Sequence, residues 1–282
     1  MMKGLVNQGS SCFMNACLQM ICSWELPFFQ DVTSSLPRLT KKTPMYEELY
    51  SHIVTLYKFM NSDPVTAVVE PHSIRQCLLK WLPEGQQDAH ECMNLLLDCI
   101  RESAPSASMR SHFSGILSTS IVCSQGHPSG RKDDSTILEL SITEKRDLAD
   151  SISAFYKIEE LEEYQCVGCK KKVHAQCQIV LQEYPHRYFV VAVKRFLANG
   201  TKMGDPLTIP NEMTIDSVSW TLQSFIVHMG SAQGGHYICC YASRKGDEAY
   251  ILADDKSVRK ISRDQWDKLK SFAYLFAYQR RT

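Results

Sequence analysis

The spacing of apolar residues changes along the chain, and that change constrains the fold more than any other feature. Early in the sequence, apolar residues recur at helical intervals. Phe13, Ala16, Cys17, Met20 and Ile21 form one stripe, with Ser10 and Ser11 ahead of it as N-cap candidates. Tyr46, Leu49, Ile53, Leu56 and Tyr57 form a second. The pattern predicts a further helix around Ile74 to Trp81, with Ser73 as its cap, and another from about Gln87 to Ile100. The polar, proline-containing stretch from Thr33 to Pro44 reads as a loop, and the small polar run Ser103 to Ser108 as a boundary. Beyond it, β-branched residues and partial alternation predict strands at His112–Cys123 and Thr136–Ile142. A helical pattern returns over Asp147–Tyr164. Strands then follow at Ile179–Leu181, Tyr188–Phe196, Leu222–Met229, His236–Tyr241, Tyr250–Ala253 and Tyr274–Tyr278. Helices first and strands later predict an α+β fold with a mainly antiparallel sheet.

Composition narrows the function classes. With 282 residues, 44% of them hydrophobic, the chain can bury a sizeable core without disulfide or metal staples. Length alone leaves one large domain or two ordinary ones. Lys+Arg and Asp+Glu are both 31, so the basic excess of a general nucleic-acid or anionic-membrane binder is absent. No apolar run approaches the roughly 18 residues of a membrane span. Met1-Met2-Lys3-Gly4 lacks the apolar stretch of a secretory signal. Neither nucleic acid nor membrane is expected as a partner. Several of the 12 cysteines (Cys17, Cys77, Cys92, Cys99) sit at helical spacing among Leu, Ile and Met, where a reduced thiol acts as a small hydrophobe. The expected location is cytoplasmic, nuclear or both.

The segment from Gly4 to Asn15 carries the most chemistry. A glycine-containing loop delivers Cys12 to the start of a helix, where free N–H groups and the helix dipole favour a thiolate. Asn7, in the same loop, offers an amide to an oxygen developing negative charge. Taken alone, Cys12 reads equally well as a buried small residue and Asn7 as a turn former. The far end of the chain adds partners. Gly234-Gly235-His236-Tyr237 puts a histidine at a turn-to-strand junction, and Asp254-Asp255 closes a predicted strand. A cysteine nucleophile needs an imidazole base, and the imidazole needs an acceptor to orient it. Cys12, His236 and Asp254 supply those three roles.

The segment Gly4–Gln19 resembles the cysteine box of ubiquitin-specific proteases. Gly235-His236-Tyr237, preceded by Val227-His228-Met229-Gly230, resembles their histidine box. Gln86-Gln87-Asp88-Ala89-His90-Glu91, Val191–Phe196 with Tyr184-Pro185 before it, and Ala273–Tyr278 resemble other family segments, in the family's order. The resemblance implies one catalytic domain over residues 1–282 with a papain-like cysteine protease fold. It places a helical thumb at about 1–110, largely β fingers at 111–190 and a largely antiparallel β palm at 191–282. It implies a deubiquitinase that cleaves after the C-terminal glycine of ubiquitin without a catalytic cofactor. Cys12 matches the nucleophile, His236 the general base, Asp254 its orienting residue and Asn7 the oxyanion hole. Asp255 matches an assisting position. Asp88 and Glu91 match acidic positions that pair with arginines of the ubiquitin tail. The stretch Gly230–Gly235 matches a loop over the diglycine end, with Gly234, Gly235 and Tyr237 as contacts. The implied partners are ubiquitin or ubiquitinated proteins, with a ubiquitin-like modifier as the alternative.

Cys166-Val167-Gly168-Cys169 has the spacing of a zinc knuckle. Where the family's second Cys-x-x-Cys falls, this chain reads Cys123-Ser124-Gln125-Gly126-His127. Cys123, His127, Cys166 and Cys169 are therefore the candidate ligands of a structural zinc, with His174 and Cys177 as spares. A fingers site that has lost its metal is the other reading. Lys170-Lys171-Lys172 beside it reads as a solvated turn. Tyr250 and Cys92 stand where the family often has Trp and Phe.

Overall fold

A computed structural model of the chain describes residues 2–26, 29, 44–62, 67–104, 110–197, 200–231, 234–243 and 249–281. The expected loop before Pro44, most of the boundary after Ser103 and positions 232–233 of the glycine loop lie outside the described residues. Helix α1 (Cys12–Ser23) is buried along its whole length, Asn15, Gln19 and Ser23 included. A helix enclosed on every side belongs at the centre of a domain. Around it pack α2 (Pro44–Met60), α3 (His72–Leu78) and α4 (Ala89–Ser103). Ser73 lies inside α3 rather than capping it, because Pro71, with its fixed φ, occupies the N-cap. Two short strands, β1 (Gly4–Leu5) and β2 (Val68–Val69), pair in parallel beside the start of α1.

Two larger sheets follow. The first has four antiparallel strands in the order β4-β3-β7-β6: β3 (Gly115–Cys123), β4 (Pro128–Ser135), β6 (Glu159–Cys166) and β7 (Lys171–Glu183). The second has eight strands: β5 (Ile137–Leu140), β8 (Tyr188–Val193), β9 (Glu212–Ile215), β10 (Val218–Gly230), β11 (Gly235–Ala242), β12 (Tyr250–Asp254), β13 (Ser257–Ile261) and β14 (Ala273–Arg280). They run in the order β13-β12-β11-β10-β14-β8-β5, with β9 on the far end of β10; only β5 and β8 are parallel. Alternate residues of this sheet serve two cores. Ile226, Cys239 and Leu275 face α1, while Phe225, Cys240 and Phe276 face the opposite way, toward α5 (Leu148–Phe155) and α6 (Arg263–Lys270). A sheet covered on both faces explains why its strands read as continuous apolar runs.

The architecture is the expected α+β one, with local corrections. Within residues 111–190, β5, α5 and the first half of β8 are built onto the larger sheet. The helical pattern over Asp147–Tyr164 ends at Phe155, and Glu159–Cys166 pairs with β7 as an edge strand. Strand pairing there overrides the helix preference of its glutamates and leucine. Those charges also protect the edge from pairing with other chains. Lys171 and Lys172 open β7 rather than forming a turn, and only Lys170 keeps a positive φ.

Candidate active site and fingers metal site

The loop before α1 is fixed on two sides. Val6 N–H donates to the Val69 carbonyl at 2.8 Å, and Leu5 N–H to the Asp255 carbonyl at 2.9 Å. Gly4 packs directly on the Lys256 backbone, where a Cβ would collide with the carbonyl. Gly4→Ala is therefore expected to lower stability by about 3 kcal/mol in urea unfolding, through displacement of the Asp255 turn. Ser11 occupies the N-cap of α1 without a side-chain capping bond. Its hydroxyl instead accepts from Gln8 N–H at 2.9 Å and donates to Asn7 Oδ1 at 3.2 Å, which shapes the loop rather than the helix end.

Cys12 is the first residue of α1 and is 3% exposed. Burial pushes its thiol up. The N–H groups of Tyr237, Phe13 and Cys12 itself favour the thiolate, the Asp255 charge opposes it, and the balance stays above the ordinary thiol value. The helix start alone thus does not yield the low thiol value expected from sequence. The contact with Tyr237 N–H joins Cys12 to the residue following His236. His236 Nε2 lies 2.6 Å from Asp254 Oδ1, across β11 and the end of β12. With Nε2 held by the carboxylate, Nδ1 is the ring nitrogen left for the thiol.

Asp255, in the two-residue turn between β12 and β13, has a positive φ of 47°. Its carboxylate is gripped by two amides, Asn7 Nδ2 and Asn15 Nδ2, each at 2.8 Å. Asn15 was not singled out from sequence. A polar residue one turn after Cys12 on a helix with no exposed side was the available signal. One N–H of Asn7 is therefore committed to Asp255.

Beside these groups lies a cleft of about 190 Å³ lined by Gln86, Asp88, Phe196, His228, Gly234 and Tyr237. Asp88 caps α4, accepting from His90 N–H at 2.6 Å, and also accepts from Tyr274 Oη at 2.9 Å. Glu91 is exposed on the first turn of α4 and is not part of the cleft lining. Burial, with the Lys202 charge, pushes His228 down to about 4. Gly235 packs against His228 and the Met229 carbonyl, where a Cβ would collide with both. In the Lys-Arg-Phe motif, Phe196 lines the cleft while Arg195 is buried and donates to the carbonyls of Ala273, Asp205 and Ser271, each at 2.8 Å.

Known proteins resemble this chain in sequence and fold. A family model described as ubiquitin carboxyl-terminal hydrolase matches residues 3–278. The chain belongs to this family. Among curated members, probable ubiquitin carboxyl-terminal hydrolase 16 of Schizosaccharomyces pombe is 28% identical over 99% of this chain and 67% of its own length. Ubiquitin carboxyl-terminal hydrolase 23 of Arabidopsis thaliana is 25% identical, and the chain spans 36% of it. Among solved structures, a chain of the SAGA DUB module Ubp8/Sgf11/Sus1/Sgf73 bound to monoubiquitin superposes with a TM-score of 0.76 at 25% identity, covering 99% of this chain and 69% of that one.

The chain also carries the fingers quartet. The ligand atoms of Cys123, His127, Cys166 and Cys169 all lie within 4.8 Å of one another. Cys123 Sγ is 3.8 Å from Cys169 Sγ, and His127 Nδ1 is 3.5, 3.1 and 3.8 Å from the sulfurs of Cys123, Cys169 and Cys166. A zinc tetrahedron of three sulfurs and one nitrogen requires about 3.8 Å between sulfurs and about 3.6 Å from sulfur to nitrogen. The quartet fits. Gly168 makes room for the imidazole, since a Cβ there would stand 2.7 Å from His127 Cγ. Burial raises the Cys123 thiol, but N–H groups of His127 and Gln125 with the Cys166 and His127 side chains outweigh it and bring it to about 6. Burial and the neighbouring thiols push Cys169 up to about 11. A cation is what allows three adjacent thiols to ionise together. His174 and Cys177 stand outside the quartet.

Proposed function

We propose that this chain is a cysteine-type deubiquitinase that hydrolyses the bond after the C-terminal glycine of ubiquitin. The observation that carries the reading is the Asp254–His236 pair at 2.6 Å, one residue before Tyr237, whose backbone N–H favours the thiolate of the buried Cys12, beside a cleft rimmed by Gly234. The proton of Cys12 passes to Nδ1 of His236, and the sulfur bonds to the glycine carbonyl carbon. The backbone N–H of Cys12 and the uncommitted N–H of Asn7 receive the oxyanion. The leaving lysine amine takes the proton from His236 as the C–N bond breaks. Water then attacks the thioester, gives its proton to His236, and the thiol leaves reprotonated. Asp255 holds Asn7 in place. Asp88 keeps acceptor capacity for an arginine of the incoming tail. The fingers quartet would hold a zinc ion whose contribution is folding energy, with no part in the chemistry.

Ubiquitin bearing a C-terminal electrophile tests the reading. An adduct one ubiquitin heavier at Cys12 supports it. An adduct only with a ubiquitin-like modifier moves the substrate class, and ubiquitin binding without any adduct removes the enzymatic account. The thiol value gives a pH prediction. Because burial raises Cys12, a thiolate near neutrality depends on proton transfer to His236. In His236→Ala, alkylation of Cys12 should rise only in the alkaline range, above the ordinary thiol value, whereas the unaltered protein reacts at lower pH.

A further inference from the structure

The end of β11 that carries His236 has little of its own to hold it. Strand β12 pairs with β11 only from Cys239 onward, where Cys239 faces Ala253. Among the described residues, 235–238 therefore have no strand on that side. On the other side, β10 pairs through Gly230↔Gly235, but this end of the hairpin is glycine, with Gly230 at φ 109°. Side chains from outside the hairpin grip both strands. Lys202 Nζ donates to the carbonyls of His228 and Gly230, at 2.6 and 2.9 Å, and so fixes β10. On β11 the grip belongs to Gln86. Its Nε2 donates to the Gly235 carbonyl at 2.7 Å, and its Oε1 accepts from the Gly235 N–H at 3.4 Å.

We propose that Gln86 is a positioning residue for His236, its amide standing in for the neighbouring strand that β11 lacks at this point. A primary amide presents one donor and one acceptor side by side, as a peptide group does, so it can satisfy both edge groups of a single strand residue. The anchor is tied to both α4 and β14. Two residues later Asp88 caps α4 and is bound to Tyr274 of β14, so Gln86 refers the histidine-bearing strand to the thumb helices and to the centre of the larger sheet. The next residue toward the active site is His236, and the backbone N–H of the one after it, Tyr237, acts on the Cys12 thiol. A shift at Gly235 therefore displaces the imidazole relative to the sulfur. This inference rests on the proposed Cys12–His236 chemistry but not on the identity of the modifier.

The test compares the unaltered protein with Gln86→Ala, Gln86→Glu and His236→Ala. The first readout is iodoacetamide alkylation of Cys12 against pH, resolved by peptide mass spectrometry. The second is adduct formation with the ubiquitin electrophile. Gln86→Glu keeps the acceptor and sets a carboxylate against the Gly235 carbonyl. Both Gln86 variants should lose about tenfold in Cys12 alkylation near neutral pH, moving toward the His236→Ala profile, because misplacement on the order of 1 Å is enough to break the proton transfer. Their melting temperatures should stay within about 2 °C, since the side chain is exposed. If Gln86→Ala melts lower, Gln86→Asn, which keeps the amide but shortens its reach, carries the comparison. An alkylation profile equal to that of the unaltered protein overturns the inference, and a slowed ubiquitin adduct with that same profile reassigns Gln86 as a substrate contact. An unaltered protein that already matches His236→Ala overturns it as well. Lost alkylation in the Gln86 variants, with no ubiquitin adduct in the unaltered protein, keeps the inference and removes the substrate reading.

Discussion

Cys12→Ala is expected to lose hydrolysis of ubiquitin conjugates by a factor of about 10⁵ while keeping its affinity for ubiquitin. No neighbouring group replaces the lost sulfur. Cys17, further along the same helix, points its thiol at the Ala89 carbonyl at 3.2 Å, and burial beside Cys92 holds it well above the ordinary thiol value. Cys12→Ser should fall almost as far, because a hydroxyl does not ionise against imidazole as a thiol does. Stability should change little, since the substitution removes one atom from a well-packed helix start. A fluorogenic ubiquitin amide measures the rate, and calorimetry with free ubiquitin measures the affinity. Residual turnover within tenfold of the original would remove Cys12 from the nucleophile's role.

The second large effect concerns the metal quartet. The outer part of the four-stranded sheet has a core of only Cys123, Cys166 and Ala175, with a few half-buried neighbours. So small a cluster does not offset the ordering of four strands, and a bound zinc contributes on the order of 10 kcal/mol. Native mass spectrometry should show about one zinc per chain. Removing it with a strong chelator, or substituting His127→Ala, should unfold the outer halves of β3, β4, β6 and β7, read as lost hydrogen-exchange protection there. The base of this sheet stays attached, because Leu181 and Leu117 belong to the core of the larger sheet. Cys12 alkylation should therefore survive chelation while ubiquitin hydrolysis drops. Metal-free protein with full protection in these strands would contradict the prediction.

Sequence legibility followed burial. α1 and α4 were readable because their apolar positions repeat at helical spacing; that Asp88 caps α4 was not read from the sequence. The inner strands of the larger sheet were readable because both faces are covered, as in Tyr188–Val193, where all six residues are buried, whereas the mostly unburied β9 and β13 were not. β4 was invisible, since Pro128–Ser135 is polar and almost wholly exposed, held by pairing with β3 alone. β6 was misread for the related reason that its glutamates carry a helical preference and only β7 makes them a strand. Within the site, residue types pointed to Cys12, His236 and Asp254, and His236 and Asp254 do lie 2.6 Å apart. The raised thiol was not legible, because it depends on burial and on the Asp255 charge. Nor was the commitment of Asn7 to Asp255, since nothing in a string of letters tells which partner an amide chooses.

The grip of Asn7 and Asn15 on Asp255 also sets a timetable for synthesis. Cys12 leaves the ribosome well before its supports, which come from the turn at Asp255, and the strand bearing His236 depends on β10, which is itself wedged against β14. Nascent chains short of β14 would hold a solitary thiol with no base aligned to it. Catalytic competence thus arrives only with a finished sheet, and a prematurely terminated product remains inert toward the conjugates around it.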